Sequence, residues 1–185
     1  MSHGHSEQRS SEFAEFADAL RRDLEAAIAA GERPWRFVDL IRMTEVQVDG
    51  SPALEVVIRA RGRAGRLFRA VVGHAPADQT MPPSMIAGIV AVNIEEDLHA
   101  LANGRQDAGT GFEVLVDPDP PPPPSPPPCD ITVALLDGGA LHNNRVAFER
   151  GQTTLDLRGY HYVFSGEVVP VDGDTPASAL FIPAG

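Results

Sequence analysis

The sequence predicts an α+β protein: an N-terminal antiparallel sheet with two packed helices, then a polyproline linker and a small all-β C-terminal module. Three observations carry that prediction. Two long segments, 13–28 and 85–101, place apolar residues at helical spacing. Between them, and again after residue 129, apolar and polar residues alternate with the strand period. Nine of the eleven residues from Pro118 to Pro128 are proline. Proline fixes φ and has no N–H to donate, so this run joins neither a helix nor a central strand.

Four segments follow. Residues 1–10 are polar and expected to be mobile. Residues 11–117 form the α+β domain. Residues 118–128 form the linker, which spans roughly 34 Å as an extended polyproline rod. Residues 129–185 form the small β module. That module has 57 residues, near the lower limit for independent folding, so it is expected to lean on a partner.

Ser11 can cap the first helix, with Glu12 and Glu15 placing negative charge in its first turns. Phe13, Phe16, Leu20, Leu24, Ala27 and Ile28 make its apolar stripe, and Gly31 followed by Pro34 ends it. The first half of Trp35–Val48 is compatible with helix, whereas Thr44–Val48 alternates as a strand. Asp49-Gly50-Ser51-Pro52 is a turn. Beyond it, Leu54, Val56, Ile58 and Ala60 face one way, while Glu55, Val57, Arg59, Arg61 and Arg63 face the other. Phe68, Ala70 and Val72 return on a third strand after a turn at Gly62 or Ala64-Gly65. A loop over His74–Pro83 leads to the second helix, from Ser84 to about Ala102, ending at Asn103-Gly104. Its main stripe is Ile86, Val90, Ile94, Leu98 and Leu101. Phe112–Val116 supplies a fourth strand.

After Cys129 the pattern is β throughout. Strands are expected at Ile131–Leu136, around Val146 and Phe148, over Thr153–Leu157, over Tyr160–Phe164 with a continuation at Val168–Val171, and at Ala179–Ile182. Asp137-Gly138-Gly139 and Asp172-Gly173-Asp174 are turns. Strands this short and numerous fit a small sandwich or barrel-like module.

Composition removes several function classes. The formal net charge is −11, spread over both halves, which disfavours general binding to nucleic acid or anionic membrane. All 15 basic residues are arginine. Without lysine there is no Schiff-base catalysis, no pyridoxal phosphate anchor and no P-loop lysine. Arginine-only basicity with abundant Ala, Gly, Pro and Val points to a GC-rich bacterial or phage genome. Cys129 is the only cysteine, so neither an internal disulfide nor a cysteine-rich zinc site can form. A free cysteine, a polar N-terminus and no apolar run of transmembrane length together imply a cytoplasmic protein.

The densest charge feature is Arg59, Arg61, Arg63, Arg66 and Arg69, a candidate binding face for a phosphate, an acidic partner or RNA. No Tyr, Trp or Phe interleaves with it on the same face for base stacking, and an exposed sheet face balanced by the acids of a neighbour is the plainer reading. On the second helix, Met85, Ile89 and Val92 widen the apolar arc beyond one stripe and are candidate interface residues. Asn93 and Asp97 project into that stripe and need polar partners, such as a loop or a second subunit. Glu95 and His99 share a face four residues apart, a possible metal or carboxylate–histidine pair that lacks a third ligand. His3 and His5 can take up a metal adventitiously. His142 lies in a turn and His161 on a strand, with Asp137 and Asp156 available to pair with them. No nucleophile motif accompanies either. No cofactor or resident metal is implied.

The reading that follows is a non-catalytic structural or protein-interaction protein, two modules joined by a polyproline spacer, with self-association or a protein partner expected. Two alternatives stand beside it: a small hydrolase or metal-dependent enzyme, and a binder of anions or RNA through the arginine face.

Overall fold

The computed structural model describes residues 3–63, 65–73, 81–102 and 111–184. It is an α+β protein with two long helices and two sheets, one of four strands and one of five. The chain divides into two compact units. The first takes the chain up to Arg59, then Leu67–Leu98 and Gly111–Leu115. The second is built on Val116–Gly185 and also takes in Ala60–Arg66 and the chain from His99.

In the first unit, helix α1 spans His3–Ala30. It therefore starts well before Ser11, which is interior to the helix rather than its cap. Its stripe buries Phe13, Phe16, Leu20 and Leu24 as the spacing requires. The N–H of Gly31, a residue with φ +64°, bonds the carbonyl of Ile28 and ends the helix. A short 3-10 turn, Trp35–Phe37, buries both its aromatic residues. It leads into β1, Val38–Val48, a strand along its whole length, which α1 contacts. Strand β2 is Ser51–Ala60 and β3 is Arg66–Gly73. Asp49 and Gly50 both have positive φ, the two-residue turn whose twist suits a hairpin. Helix α2 is Pro83–Ala102 and β4 is Glu113–Val116, and the sheet order is β1-β2-β3-β4. The loop expected over 74–80 and the helix end expected at Asn103-Gly104 lie outside the described residues.

The β2–β3 register decides the two faces of this sheet. Leu54 lies opposite Val72, Val56 opposite Ala70 and Ile58 opposite Phe68. These residues share one face, on which Leu54, Val56, Ile58 and Phe68 are buried, and Phe68 meets Phe112 edge-on at 6.0 Å. Glu55 pairs with Val71 and Val57 with Arg69 on the opposite face. Val57, expected among the outward-facing residues, is fully buried there.

In the second unit, β5 is Val133–Leu136, β6 Arg145–Ala147, β7 Thr154–Leu157, β8 Tyr160–Val169 and β9 Ser178–Pro183. All five belong to one sheet in the order β6-β5-β9-β8-β7. The stretches expected at 160–164 and 168–171 are one strand with an irregularity between Phe164 and Val168. Strand β9 runs parallel to β5 and antiparallel to β8, so it occupies the centre. Every residue of β9 is buried. One of its faces joins the core of Ile131, Leu136, Phe148, Leu155, Tyr162 and Phe164, with Phe181 edge-on to Phe148 at 5.3 Å.

The other face of β9 is met by the 60–66 turn. A Cβ built on Gly62 would stand 2.9 Å from the Pro183 carbonyl oxygen and 3.2 Å from Ile182 Cδ1. Nothing larger than glycine fits without displacement, and its φ of +82° also excludes other residues. Gly62 thus brings an earlier part of the chain against β9 within the second unit.

Gly62→Ala is expected to destabilise the protein by about 2 kcal/mol or more, combining a left-handed backbone cost of about 1–2 kcal/mol with the close approach. Gly65→Ala is the control, because Gly65 has φ +75° but no atom within 4 Å of a built Cβ. Urea denaturation of the two variants should separate them, with Gly62→Ala the less stable. Equal midpoints would show that the turn yields freely.

Candidate functional site

The five arginines proposed as one patch are divided by the fold. Only Arg59 lies on β2; Arg61 and Arg63 lie beyond its end, in the turn. Arg63 is buried, and its Nη2 donates to the Leu101 carbonyl at 2.8 Å, satisfying an acceptor in the last turn of α2. Arg61 Nη1 lies 3.1 Å from Glu167 Oε1. Arg69 lies between two carboxylates, with Nε 2.7 Å from Glu55 Oε1 and Nη1 2.6 Å from Glu113 Oε2. The Nε contact is close in distance without hydrogen-bond alignment, so charge holds it, whereas Nη1 donates a true bond. Arg59 is half-buried and Arg66 exposed.

Sequence reasoning missed the cluster that results. Arg42 Nε on β1 donates to Glu55 Oε2 at 3.1 Å. Arg42, Glu55, Arg69 and Glu113 therefore alternate in sign across all four strands of the first sheet. Glu55 and Arg69 are diagonal neighbours in the β2–β3 register, within reach of long side chains. The register was obtainable from the hairpin alone, by pairing strands outward from the turn. Reading the arginines as a linear run hid their acidic partners on neighbouring strands.

On α2, Ile86, Ile94, Leu98 and Leu101 are buried, whereas Met85, Ile89 and Val92 are 54%, 47% and 56% exposed. Positions 85, 89 and 92 are four and three apart and fall on one side of the helix. Asn93 is exposed, outside the buried stripe in which projection placed it. Asp97 meets its polar requirement through a loop: its Oδ2 accepts the Gly111 N–H at 2.9 Å. Glu95 and His99 are half-buried on the same helix. Among the described residues, no group of three or more His, Cys, Asp or Glu side chains is placed to hold a metal. The side chains of His3 and His5 lie outside the described residues.

Two His–Asp contacts are present. His161 Nδ1 lies 2.6 Å from Asp156 Oδ1, across β7 and β8. Both side chains are well exposed, so water competes for the pair and the carboxylate does not orient the ring as a buried one does. His142 Nδ1 lies 3.2 Å from Asp137 Oδ1 and accepts the Gly138 N–H at 3.0 Å. Nearby, Tyr162 is fully buried and its hydroxyl donates to the Gly138 carbonyl at 3.1 Å. Burial pushes the Tyr162 phenol above its ordinary value of 10.0; a backbone contact at Leu141 lowers it and the neighbouring Tyr160 raises it. Cys129 is free and exposed. Among the described residues, no helix is long and apolar enough to cross a membrane.

These features define an α+β protein of two compact units, in which Arg42, Arg61, Arg63 and Arg69 each bond to other groups of the chain. No protein-family model, curated protein or solved structure matches the chain.

Two outcomes test this description. Glu55→Gln removes the negative charge shared by two arginines and turns one of its two acceptor oxygens into a donor, and should cost about 1–3 kcal/mol. Arg42→Ala removes an exposed end of the row and should cost under about 1 kcal/mol. Urea midpoints at low and high salt measure both, with the gap narrowing as salt screens the charges. Tyr162 sets an alkaline limit. Its folded value lies above the unfolded one, so its contribution is fully present below about pH 10 and is lost as pH rises through the folded value. Tyr162→Phe should remove that alkaline slope in a stability-against-pH series, at the expense of the bond to Gly138.

Proposed function

We propose that this is a non-catalytic interaction protein that self-associates through α2, with the proline segment 118–128 acting as a spacer between residues 11–117 and 129–185. The observation that carries the reading is the exposed row of Met85, Ile89 and Val92. Three neighbouring apolar side chains on one helix face, each about half accessible, leave hydrophobic area in water that a second helix would remove. The chain otherwise presents a strongly acidic surface, with a net charge of −11. Apolar contact is the attraction that such a surface leaves for like copies. Asn93, exposed on the next turn, would supply a polar contact that fixes register.

The arginine reading is weakened by the fold, because Arg63 is committed to the interior of its own unit. Arg61 and Arg69 likewise have carboxylate partners already.

Sedimentation velocity of the full chain over a range of concentrations tests self-association. The mass should rise with concentration, and Ile89→Glu should hold it at the monomer by burying a charge in the contact. Glu15→Gln, an exposed site on α1, should leave assembly intact. A wild-type chain that stays monomeric at every concentration would overturn the reading.

A further inference from the structure

His142 Nδ1 has two neighbours whose demands conflict. The Gly138 N–H, 3.0 Å away, needs a lone pair on that nitrogen. The Asp137 carboxylate, 3.2 Å away, needs a proton on it. A neutral ring protonated on Nε2 satisfies the amide and leaves a carboxylate oxygen facing a lone pair. A doubly protonated ring satisfies the carboxylate and removes the acceptor from the amide. No single state serves both neighbours.

We propose that residues 137–144 form a proton-operated switch, in which His142 Nδ1 exchanges the Gly138 amide for the Asp137 carboxylate. The balance is simple. Solvent delivers one proton to Nδ1, the Gly138 N–H···Nδ1 bond breaks, and an Nδ1–H···Oδ1 bond to Asp137 forms. Loss of the proton reverses each change.

The surroundings confine the change to this turn. Its ends are held by backbone bonds from Asp137 N to the Phe181 carbonyl and from Asn143 N to the Leu136 carbonyl, neither of which involves the imidazole. The Gly138 carbonyl is held by Tyr162. Protonation therefore frees one amide inside a frame that stays closed. Of the strands around the turn, β5 and β9 carry no ionisable side chain. Strand β6 contributes Arg145, opposite Leu135. Strand β8 carries Tyr160, His161, Tyr162 and Glu167, of which Tyr162 reaches the turn and stays neutral through the range where histidine titrates. The Asp137 carboxylate stands within ion-pair distance of the ring.

Amide and histidine-ring NMR signals of the full-length, isotope-labelled protein, followed from about pH 5 to 8, test the switch. The Gly138 amide should shift with the same midpoint as the His142 ring. Its protection factor, the exchange rate corrected for the intrinsic base-catalysed rate at each pH, should be roughly three- to tenfold lower on the acid side, the factor controlled by a hydrogen bond of ordinary net strength. His142→Gln should leave the Gly138 amide flat across the range. A wild-type Gly138 amide that ignores the His142 titration would overturn the proposal. The wild-type titration decides the matter even where a variant folds poorly.

Discussion

The second unit depends on the contact of the 60–66 turn with β9. A central strand buried on both faces needs cover on both faces, and residues 129–185 furnish one core of their own, around Phe181 and Tyr162. Ile182 and Pro183 are met instead by a turn that lies some 120 residues earlier in the chain. Gly62 makes that approach possible by having no side chain. Arg63, one residue on, secures the turn by donating to Leu101, and Arg61 secures it again by pairing with Glu167. Two of the five arginines that look like a ligand face in the sequence, Arg61 and Arg63, are fastenings of this turn.

The same economy governs the first sheet. An acidic chain that carried its arginines on one exposed face would concentrate positive charge there. The β2–β3 register instead sets Arg69 between Glu55 and Glu113, and Arg42 beyond Glu55. Val57 is buried on the same face, so apolar packing and alternating charge share one surface. Each carboxylate–guanidinium contact is worth little alone at an exposed site, but Glu55 is shared by two partners and half-withdrawn from water, which raises the cost of losing it.

Much of this was legible in the residues. The stripes of α1 and α2 come directly from their spacing, because burying a helix selects one residue in three or four. Strands β2, β3 and β4 follow from alternation. The parallel pairing of β5 with β9 does not, since parallel neighbours need no connecting turn and leave no local mark. One sign of it was present: Ala179-Leu180-Phe181-Ile182 is an unbroken apolar run, the pattern of a strand covered on both sides. The turn between β7 and β8 was likewise missed, because Arg158 stands at its first position with φ +53° where Asn or Asp is the usual signal. At the site level, the Asp97 contact to a loop was readable from a polar residue inside an apolar stripe. The exposure of Asn93 was not, because a helical projection fixes an angle and not what covers it.

The proline segment shows how such a run is attached to a fold without secondary structure. Asp119 carries the last backbone N–H before Pro120–Pro124, and Asp117 Oδ1 accepts it at 3.1 Å. Asp117 is itself buried, and its own N–H donates to the Gly65 carbonyl at 2.8 Å. The Asp-Pro-Asp-Pro entry thus spends its available donors on fixed partners before the chain loses the means to make more. Further along, Pro124 lies where a Cβ on Gly166 would come within 3.3 Å, at the irregular part of β8, and Pro127 is buried. Ring packing takes over where hydrogen bonding stops. A proline segment seated in this way is stiff for two reasons, its fixed φ angles and its contacts within the second unit.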